Sequence, residues 1–298
     1  MNLRDLHYFI VLAKTQHFGE AARLCHISQP TLSMQLKKLE DELGVLLFER
    51  SNKQVILTEA GRKILEKAQS VLHETRQLKE MAQLLSDPFS GELRLGVIPT
   101  LAPYLLPLIM PEIQKRFPRL RVWLIEEQTH RLTSKLALGE LDAAIMAMPV
   151  EADFEPIILF KEPFYFACSK DYPFSKAAPL DLNDLTEQTV LLLEEGHCLR
   201  EQAMDICRTA RANTGVDFTA TSLETLRLMV QSGLGVTLLP ALAVRNNSEQ
   251  LEIFPFAEPA PYRTIALFHR SQSVKLDCLK QLASLIEAII NPLLRPDL

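Results

Sequence analysis

Ser28-Gln29-Pro30-Thr31-Leu32-Ser33-Met34-Gln35-Leu36 decides how the first part of this chain is read. Ser28 is a good helix N-cap, and Pro30 falls in the first turn, where its missing N–H costs nothing. A helix therefore starts at Gln29. Leu32, Leu36, Leu39 and Leu43 recur at helical spacing as one buried stripe, which turns Gln29, Pro30, Ser33, Met34 and Lys37 outward. An exposed helix N-terminus bearing hydrogen-bonding side chains and one apolar contact suits a DNA major groove.

Working outward, residues 3–14 place Leu6, Phe9, Ile10 and Ala13 on one helical face, and residues 18–25 form a second helix with Ala21 and Ala22 at its centre, small enough for two backbones to approach. Gly44 ends the third helix. Residues 45–57 then form a two-stranded ribbon with Arg50, Ser51, Asn52 and Lys53 at its tip. The pattern is that of a winged helix-turn-helix, with a plain three-helix bundle as the alternative. Charge does not separate the two: residues 1–66 hold 9 Lys/Arg and 8 Asp/Glu, a net of +1, so the remainder carries −6.

Thr58 caps a long helix running to Leu85. Ile64, Ala68, Val71, Thr75, Leu78, Ala82 and Leu85 lie on one seam, the spacing of a two-helix coiled coil and hence of a homodimer. A helix docked on its own domain is the other reading, because Ala68, Thr75 and Ala82 are small. Helix gives way at Ser86-Asp87-Pro88-Phe89-Ser90-Gly91 to strands alternating with helices.

Composition bounds the rest. At 298 residues and 47% hydrophobic, the chain supports two or more domains with cores of their own. A net charge of −5 gives no global basic footprint, so any nucleic-acid surface is local. The longest apolar candidate for a membrane span, 101–111, is cut by Pro103, Pro107 and Pro111, and the start lacks a signal-peptide pattern. A cytoplasmic protein is expected, with no membrane partner. Its five cysteines are then thiols, without a structural disulfide framework. No metal site is expected, since the seven histidines lack paired ligand spacing, and no cofactor, since P-loop and dinucleotide fingerprints are missing.

In the second part, strands at 92–97, 121–126 and 141–148 alternate with helices at 101–117 and 129–139. The alternation resumes with strands at 164–169, 190–193, 218–220 and 235–239 and helices from Cys198 and Ser222. A parallel sheet is the expectation, with ligands beyond the carboxyl ends of its strands, where Thr100 and Thr129 stand. A last strand, 264–268, and a helix, 274–290, return to the first half. Two α/β lobes follow, lobe I from 92–162 with 264–298 and lobe II from 163–263.

Cys198 follows a strand and opens a helix, with His197 beside it and Arg200 two residues on. A helix terminus and cationic neighbours both favour thiolate, the nucleophilic form. Cys207 lies nine residues further, placed to resolve a sulfenic acid. Two cysteines on one amphipathic helix also read as core. Cys25, Cys168 and Cys278 read as core only.

Five blocks in order, Phe18-Gly19-Glu20-Ala21-Ala22-Arg23, His26-Ile27-Ser28-Gln29-Pro30-Thr31-Leu32-Ser33, Leu39-Glu40-Asp41-Glu42-Leu43-Gly44-Val45, Leu47-Phe48-Glu49-Arg50 and Leu57-Thr58-Glu59-Ala60-Gly61, resemble the amino-terminal domain of LysR-type transcriptional regulators. The resemblance covers the whole chain. It implies a winged helix-turn-helix DNA-binding domain at 1–57, a dimerising linker helix at 58–86, a hinge at 87–91 and, at 92–298, a two-lobed α/β sensing domain of the periplasmic-binding-protein type. It assigns DNA contacts to Gln29, Pro30, Ser33 and Arg50, and the modest basicity of residues 50–55 weakens the wing's claim on the minor groove.

Gly96-Val97-Ile98-Pro99-Thr100, Pro103-Tyr104-Leu105-Leu106-Pro107, Gln128-Thr129-His130, Gly196-His197-Cys198-Leu199-Arg200, Ala220-Thr221-Ser222-Leu223-Glu224-Thr225-Leu226-Arg227 and Leu238-Leu239-Pro240-Ala241-Leu242-Ala243-Val244 resemble the peroxide-sensing branch of that family. That likeness implies Cys198 as the peroxide-reactive thiol, Cys207 as its disulfide partner, and Thr100, Thr129, His197 and Arg200 as a hydrogen-bonded pocket, with Thr221 and Ser222 lining the cleft. Glu195 and Glu201 stand where the branch often has aspartate. The partners implied are double-stranded promoter DNA, further copies of the chain as a homodimer and homotetramer, hydrogen peroxide as signal, and RNA polymerase. The function implied is a regulator of the oxidative-stress response, not an enzyme. A LysR-type regulator binding an anionic metabolite through Thr100, Thr129 and Ser222, and a thiol peroxidase turning over at Cys198, are the competing readings.

Overall fold

Asn2 starts α1 (Leu3–Thr15): its side chain accepts from the backbone N–H groups of Arg4 and Asp5, and the Asp5 carboxylate accepts from Asn2 N–H at 3.0 Å. The reciprocal pair satisfies donors that a helix start otherwise leaves open. His17 Nδ1 caps α2 (Phe18–Leu24) by accepting from Glu20 N–H at 3.1 Å. Ser28 caps α3 (Gln29–Leu43), which ends at Gly44 in the left-handed region. Leu6, Phe9, Leu12, Leu32, Leu36 and Leu39 form the shared core, with Ala21 and Ala22 buried where α2 meets it.

The computed structural model describes residues 1–50, 55–84, 87, 89–174, 178–186, 188–245 and 251–294. Its chain divides into two compact units, Met1–Leu85 with Leu138–Glu140, and Ser86–Ala137 with Leu141–Leu298. Among the described residues no helix is long and apolar enough to cross a membrane.

In the first unit β1 (Phe48–Arg50) pairs antiparallel with β2 (Val55–Leu57), giving the expected wing. Buried Glu40 holds it to α3, accepting from the backbone N–H groups of Leu47 at 2.9 Å and Phe48 at 3.3 Å. Thr58 caps α4 (Glu59–Leu84), its hydroxyl accepting from Gly61 N–H at 2.8 Å and donating to Leu46 O at 2.7 Å. A Cβ at Gly61 would stand 2.2 Å from Leu47 O, so this contact admits only glycine. The seam on α4 divides. Ile64 and Ala68, with Leu65 and Leu72, pack on the three-helix core of their own unit, whereas Val71 and Leu78 are exposed. The first half of the expected coiled-coil stripe is therefore spent within the chain. The Ala82 side chain, Leu85 and the wing tip at 51–54 lie outside the described residues.

The second unit begins as expected: β3 (Gly91–Val97), α5 (Ala102–Arg116), β4 (Leu120–Glu126), α6 (Thr129–Ala137) and β5 (Ala143–Ala147), with β3 parallel to both β4 and β5. Then β6 (Glu155–Ser169) runs through as one strand of 15 residues. It is followed by β7 (Thr189–Leu193), α7 (Cys198–Ala210), β8 (Asn213–Ala220), α8 (Leu223–Gln231), β9 (Thr237–Pro240), α9 (Ala241–Arg245), β10 (Leu251–Pro255), β11 (Tyr262–His269) and α10 (Leu276–Leu294). The main sheet has the order β10-β6-β11-β5-β3-β4, with β9 also on β6, while β7 and β8 form a separate parallel pair.

The expectation of a parallel sheet is thus corrected: β11 is antiparallel to both β5 and β6, and β6 is antiparallel to β9 and β10. The returning strand reverses because it closes the first half from the far side instead of through another βαβ crossover. The expected strand at 164–169 is only the second half of β6. Its first half pairs with β11, the handover falls at 162–164, and the expected lobe division at 162/163 lies inside this strand.

Glu162 and Arg263 meet at that handover, paired at 2.8 Å with no solvent exposure on either side chain. Glu162 also accepts from Leu242 N–H of α9 at 2.8 Å, and Arg263 donates to the hydroxyl of Thr100 at 3.1 Å and to its carbonyl at 3.3 Å. Every branch of this ion pair is hydrogen-bonded, the condition under which a buried pair is tolerable. It ties β6, β11, α9 and the β3–α5 turn at one point.

Candidate functional site

The chain from β7 turns through Glu194–His197 into α7, and Cys198 is that helix's first residue. Gly196 makes the turn with φ +93, and a Cβ there would lie 2.8 Å from the Gln128 side chain. Glycine is favoured here by the left-handed backbone, whereas the Gln128 side-chain end that a Cβ would meet is free to turn aside. The His197 ring is buried, with Nε2 3.9 Å from a Glu194 carboxylate oxygen.

Half-buried Cys198 opens on a cavity of about 330 Å³. The α7 side contributes Gly196, His197, Cys198 and Glu201, α6 contributes Thr129, His130 and Thr133, and the segment after β5 contributes Pro149, Val150 and Glu151. The Thr129 hydroxyl oxygen is buried without a hydrogen-bond partner, an unmet polar group at the wall of a space large enough to hold a polar ligand. These walls lie beyond the ends of β4, β5 and β7, where α/β sheets bind ligands.

Of the residues expected here, the fold brings together Cys198, His197 and Thr129. Thr100 and Arg200 do not line this cavity: Thr100 is buried and held by Arg263, and Arg200 donates to Leu193 O at 2.5 Å. The expected cationic neighbour of Cys198 is therefore committed to the end of β7. Thr221 and Ser222 stand at the start of α8. The Ser222 hydroxyl accepts from Thr225 N–H at 3.1 Å, and Glu224 accepts from the Tyr104 hydroxyl of α5 at 2.6 Å. His130, Thr133, Glu201 and the Pro149–Val150–Glu151 wall were missed. Their only sequence signal is position just past strands β4 and β5 or one turn along α7.

Cys207 is 1% exposed, on the core-facing side of α7 with Leu199, Ala203 and Ala210, and desolvation pushes its thiol up to about 11. Nine residues of helix separate the two Cα atoms by about 13.5 Å along the axis. Cys168 and Cys278 are likewise buried and raised to about 11, and burial raises Cys25. All five cysteines are free thiols.

On the first unit, Gln29, Pro30, Met34 and Lys37 are exposed on α3 and Ser33 is half-buried, the outward face expected. Arg50 ends β1, and its side chain lies outside the described residues.

A winged helix-turn-helix followed by a mixed α/β unit with a ligand-sized cleft defines a bacterial transcriptional regulator. Residues 3–62 match the bacterial regulatory helix-turn-helix protein model of the lysR family, and residues 86–288 match the LysR substrate binding domain. The chain belongs to the LysR family. It is 47% identical over 289 residues, 96% of either chain, to the hydrogen peroxide-inducible genes activator of Pectobacterium carotovorum subsp. carotovorum. To the DNA-binding transcriptional dual regulator OxyR of Escherichia coli K12 it is 46% identical, over 97% of this chain and 95% of that one. Among solved structures it resembles full-length OxyR of Pseudomonas aeruginosa carrying a cysteine-to-aspartate substitution, with TM-score 0.78, 42% identity and coverage of 97% and 95%. It also resembles a hydrogen-peroxide-bound cysteine-to-serine mutant of Corynebacterium glutamicum OxyR, with TM-score 0.68, 35% identity and coverage of 98% and 94%.

Proposed function

We propose that this oxidative-stress transcriptional regulator reads hydrogen peroxide through Cys198 and stores the signal as a Cys198–Cys207 disulfide. In the first step the Cys198 thiol and hydrogen peroxide give a sulfenic acid and water, as the O–O bond breaks and one oxygen passes to sulfur. In the second the Cys207 thiol displaces that oxygen as a second water and the S–S bond forms. Thr129 and His197 contact the peroxide. Thr100 and Arg200 support the pocket from behind, through Arg263 and the Leu193 carbonyl. The observation that carries this reading is the contrast within α7: one thiol open to a polar cleft, the other sealed in the core.

Each oxidation is a stoichiometric switch. Gln29, Pro30, Ser33 and Arg50 contact promoter DNA, and the exposed Val71 and Leu78 of α4 face a second copy in a cytoplasmic homodimer, which pairs into a homotetramer and engages RNA polymerase. The anionic-metabolite reading gains no support, since Ser222 caps its own helix and the cleft walls carry Glu151 and Glu201. Mapping thiols by mass spectrometry after stoichiometric peroxide tests the assignment. Cys198→Ser should abolish the response, and Cys207→Ser should leave a sulfenic acid at Cys198 that dimedone traps. Dimedone on Cys207, with none on Cys198, would reverse the roles.

A further inference from the structure

The charges around the thiol differ from those its neighbours in sequence suggest. Arg200, the cation nearest in sequence, is bound to Leu193 O. Among the described residues, no lysine or arginine lines the Cys198 cavity, whereas two carboxylates do, Glu201 from α7 and Glu151 from the opposite wall. Both are exposed at the mouth. Glu194 and Glu195 precede the turn into α7, Asp153 and Glu155 follow Glu151, and Arg208, further along α7, is paired with Asp205 at 2.9 Å; the starts of α6 and α7 and the His130 and His197 rings offset part of this negative charge.

We infer that Glu151 and Glu201 select the oxidant by charge, admitting uncharged hydroperoxides to Cys198 and slowing oxidants that carry a negative charge. This rests on the reading of Cys198 as the peroxide-reactive thiol. A cavity of about 330 Å³ is far larger than hydrogen peroxide needs, so size alone does not exclude bulkier oxidants such as peroxo acids. Charge does. Glu201 lies three residues along the helix from Cys198, a spacing of roughly 5–6 Å between side chains. Glu201 at about 6 Å, screened by an ionic atmosphere of about 8 Å, slows a singly charged anion about twofold; Glu151 on the opposite wall brings this to on the order of threefold, and on the order of tenfold where the walls exclude water. An uncharged peroxide feels neither.

Peroxymonosulfate is a suitable probe, a monoanion with the same O–O bond: thiol and HSO5− give sulfenic acid and HSO4−, one oxygen passing to sulfur as the O–O bond breaks. Full-length reduced protein is mixed with hydrogen peroxide or with peroxymonosulfate, quenched with an alkylating reagent, and the loss of the Cys198 thiol is followed by peptide mass mapping. In the E151Q/E201Q double variant, the ratio of the peroxymonosulfate rate to the hydrogen peroxide rate should rise on the order of three- to tenfold. In the unaltered protein, added salt should raise the peroxymonosulfate rate and leave the hydrogen peroxide rate nearly level, a dependence that needs no variant to fold. An unchanged ratio in the double variant, or salt insensitivity with both oxidants, would overturn charge selection. Oxidation by hydrogen peroxide at another cysteine ahead of Cys198 would instead overturn the site assignment, and the inference with it.

Discussion

Glu162 and Arg263 show what single residues contribute where the lobes share a strand. Neither side chain touches solvent, and every branch has a partner, Glu162 reaching α9 and Arg263 the β3–α5 turn at Thr100. Such a pair is costly to assemble, but removing one member is costlier, because the other charge is left buried and unpaired; losses run to about 3–5 kcal/mol. Glu162→Gln should therefore destabilise the second unit by that order, measured by urea denaturation at constant pH, with the solitary Trp123 as reporter. A loss below about 1 kcal/mol would mean that Arg263 finds another partner or releases its charge to water. No sequence pattern announces this pair. Its members lie 101 positions apart, and Thr100, singled out for its place after a strand, gives no sign of the arginine that holds it. Cys198 and His197 were legible because their meaning is local: a strand end, a turn and a helix start, all within ten residues.

At the scale of elements, α7 is where geometry forces a conformational step. A disulfide needs its Cα atoms within about 7 Å, and an intact helix holds residues nine apart at about 13.5 Å and on opposite faces. A Cys198–Cys207 bond therefore cannot form on α7 as folded, and if the proposed disulfide forms, oxidation opens much of the 198–207 segment, releasing buried Leu199 and Ala203 from the core. Such an opening is a two-state event suited to a switch. In DNA-free protein, peroxide should raise amide hydrogen exchange across 198–210, with the reduced form protected. Unchanged protection, alongside a confirmed Cys198–Cys207 disulfide, would sink the idea. Elements with caps and regular spacing, such as α1 to α4 and α7, were readable from the chain. The first half of β6 was not, because Pro156 and Pro163 break the look of a strand, although both find places in the pairing with β11. Nor was β10, which closes on Pro255. The α4 seam is legible in the chain as one helical stripe but not as divided, since Ile64 and Ala68 serve their own core.

For the whole molecule, the sheet's mixed direction was the part least available to sequence, because local pattern gives strands and crossovers but not the side on which a returning strand docks. What the finished core does to its thiols is a collective property of the same kind. Cys168, Cys207 and Cys278 are each 2% exposed or less, and burial lifts each from an ordinary value near 9 to about 11. The folded state therefore holds three protons that the unfolded chain gives up earlier. With the folded value raised, the stabilisation is fully present below about pH 9 and is lost as pH rises toward about 11. Three such thiols together make the loss over that window on the order of a few kcal/mol. Tyr104 and Tyr172, also raised by burial, push the same way at higher pH. Denaturation of the reduced protein at pH 8, 9, 10 and 11, followed by Trp123 emission, should show stability falling steeply above pH 9. Cys278→Ala lowers stability at pH 8 by leaving a small cavity, so its informative quantity is the slope, which should become shallower, as one of the buried thiols that set it is removed. Stability that stays level between pH 9 and 11, or a slope that Cys278→Ala leaves untouched, would show that these thiols ionise in the folded core as readily as in the unfolded chain.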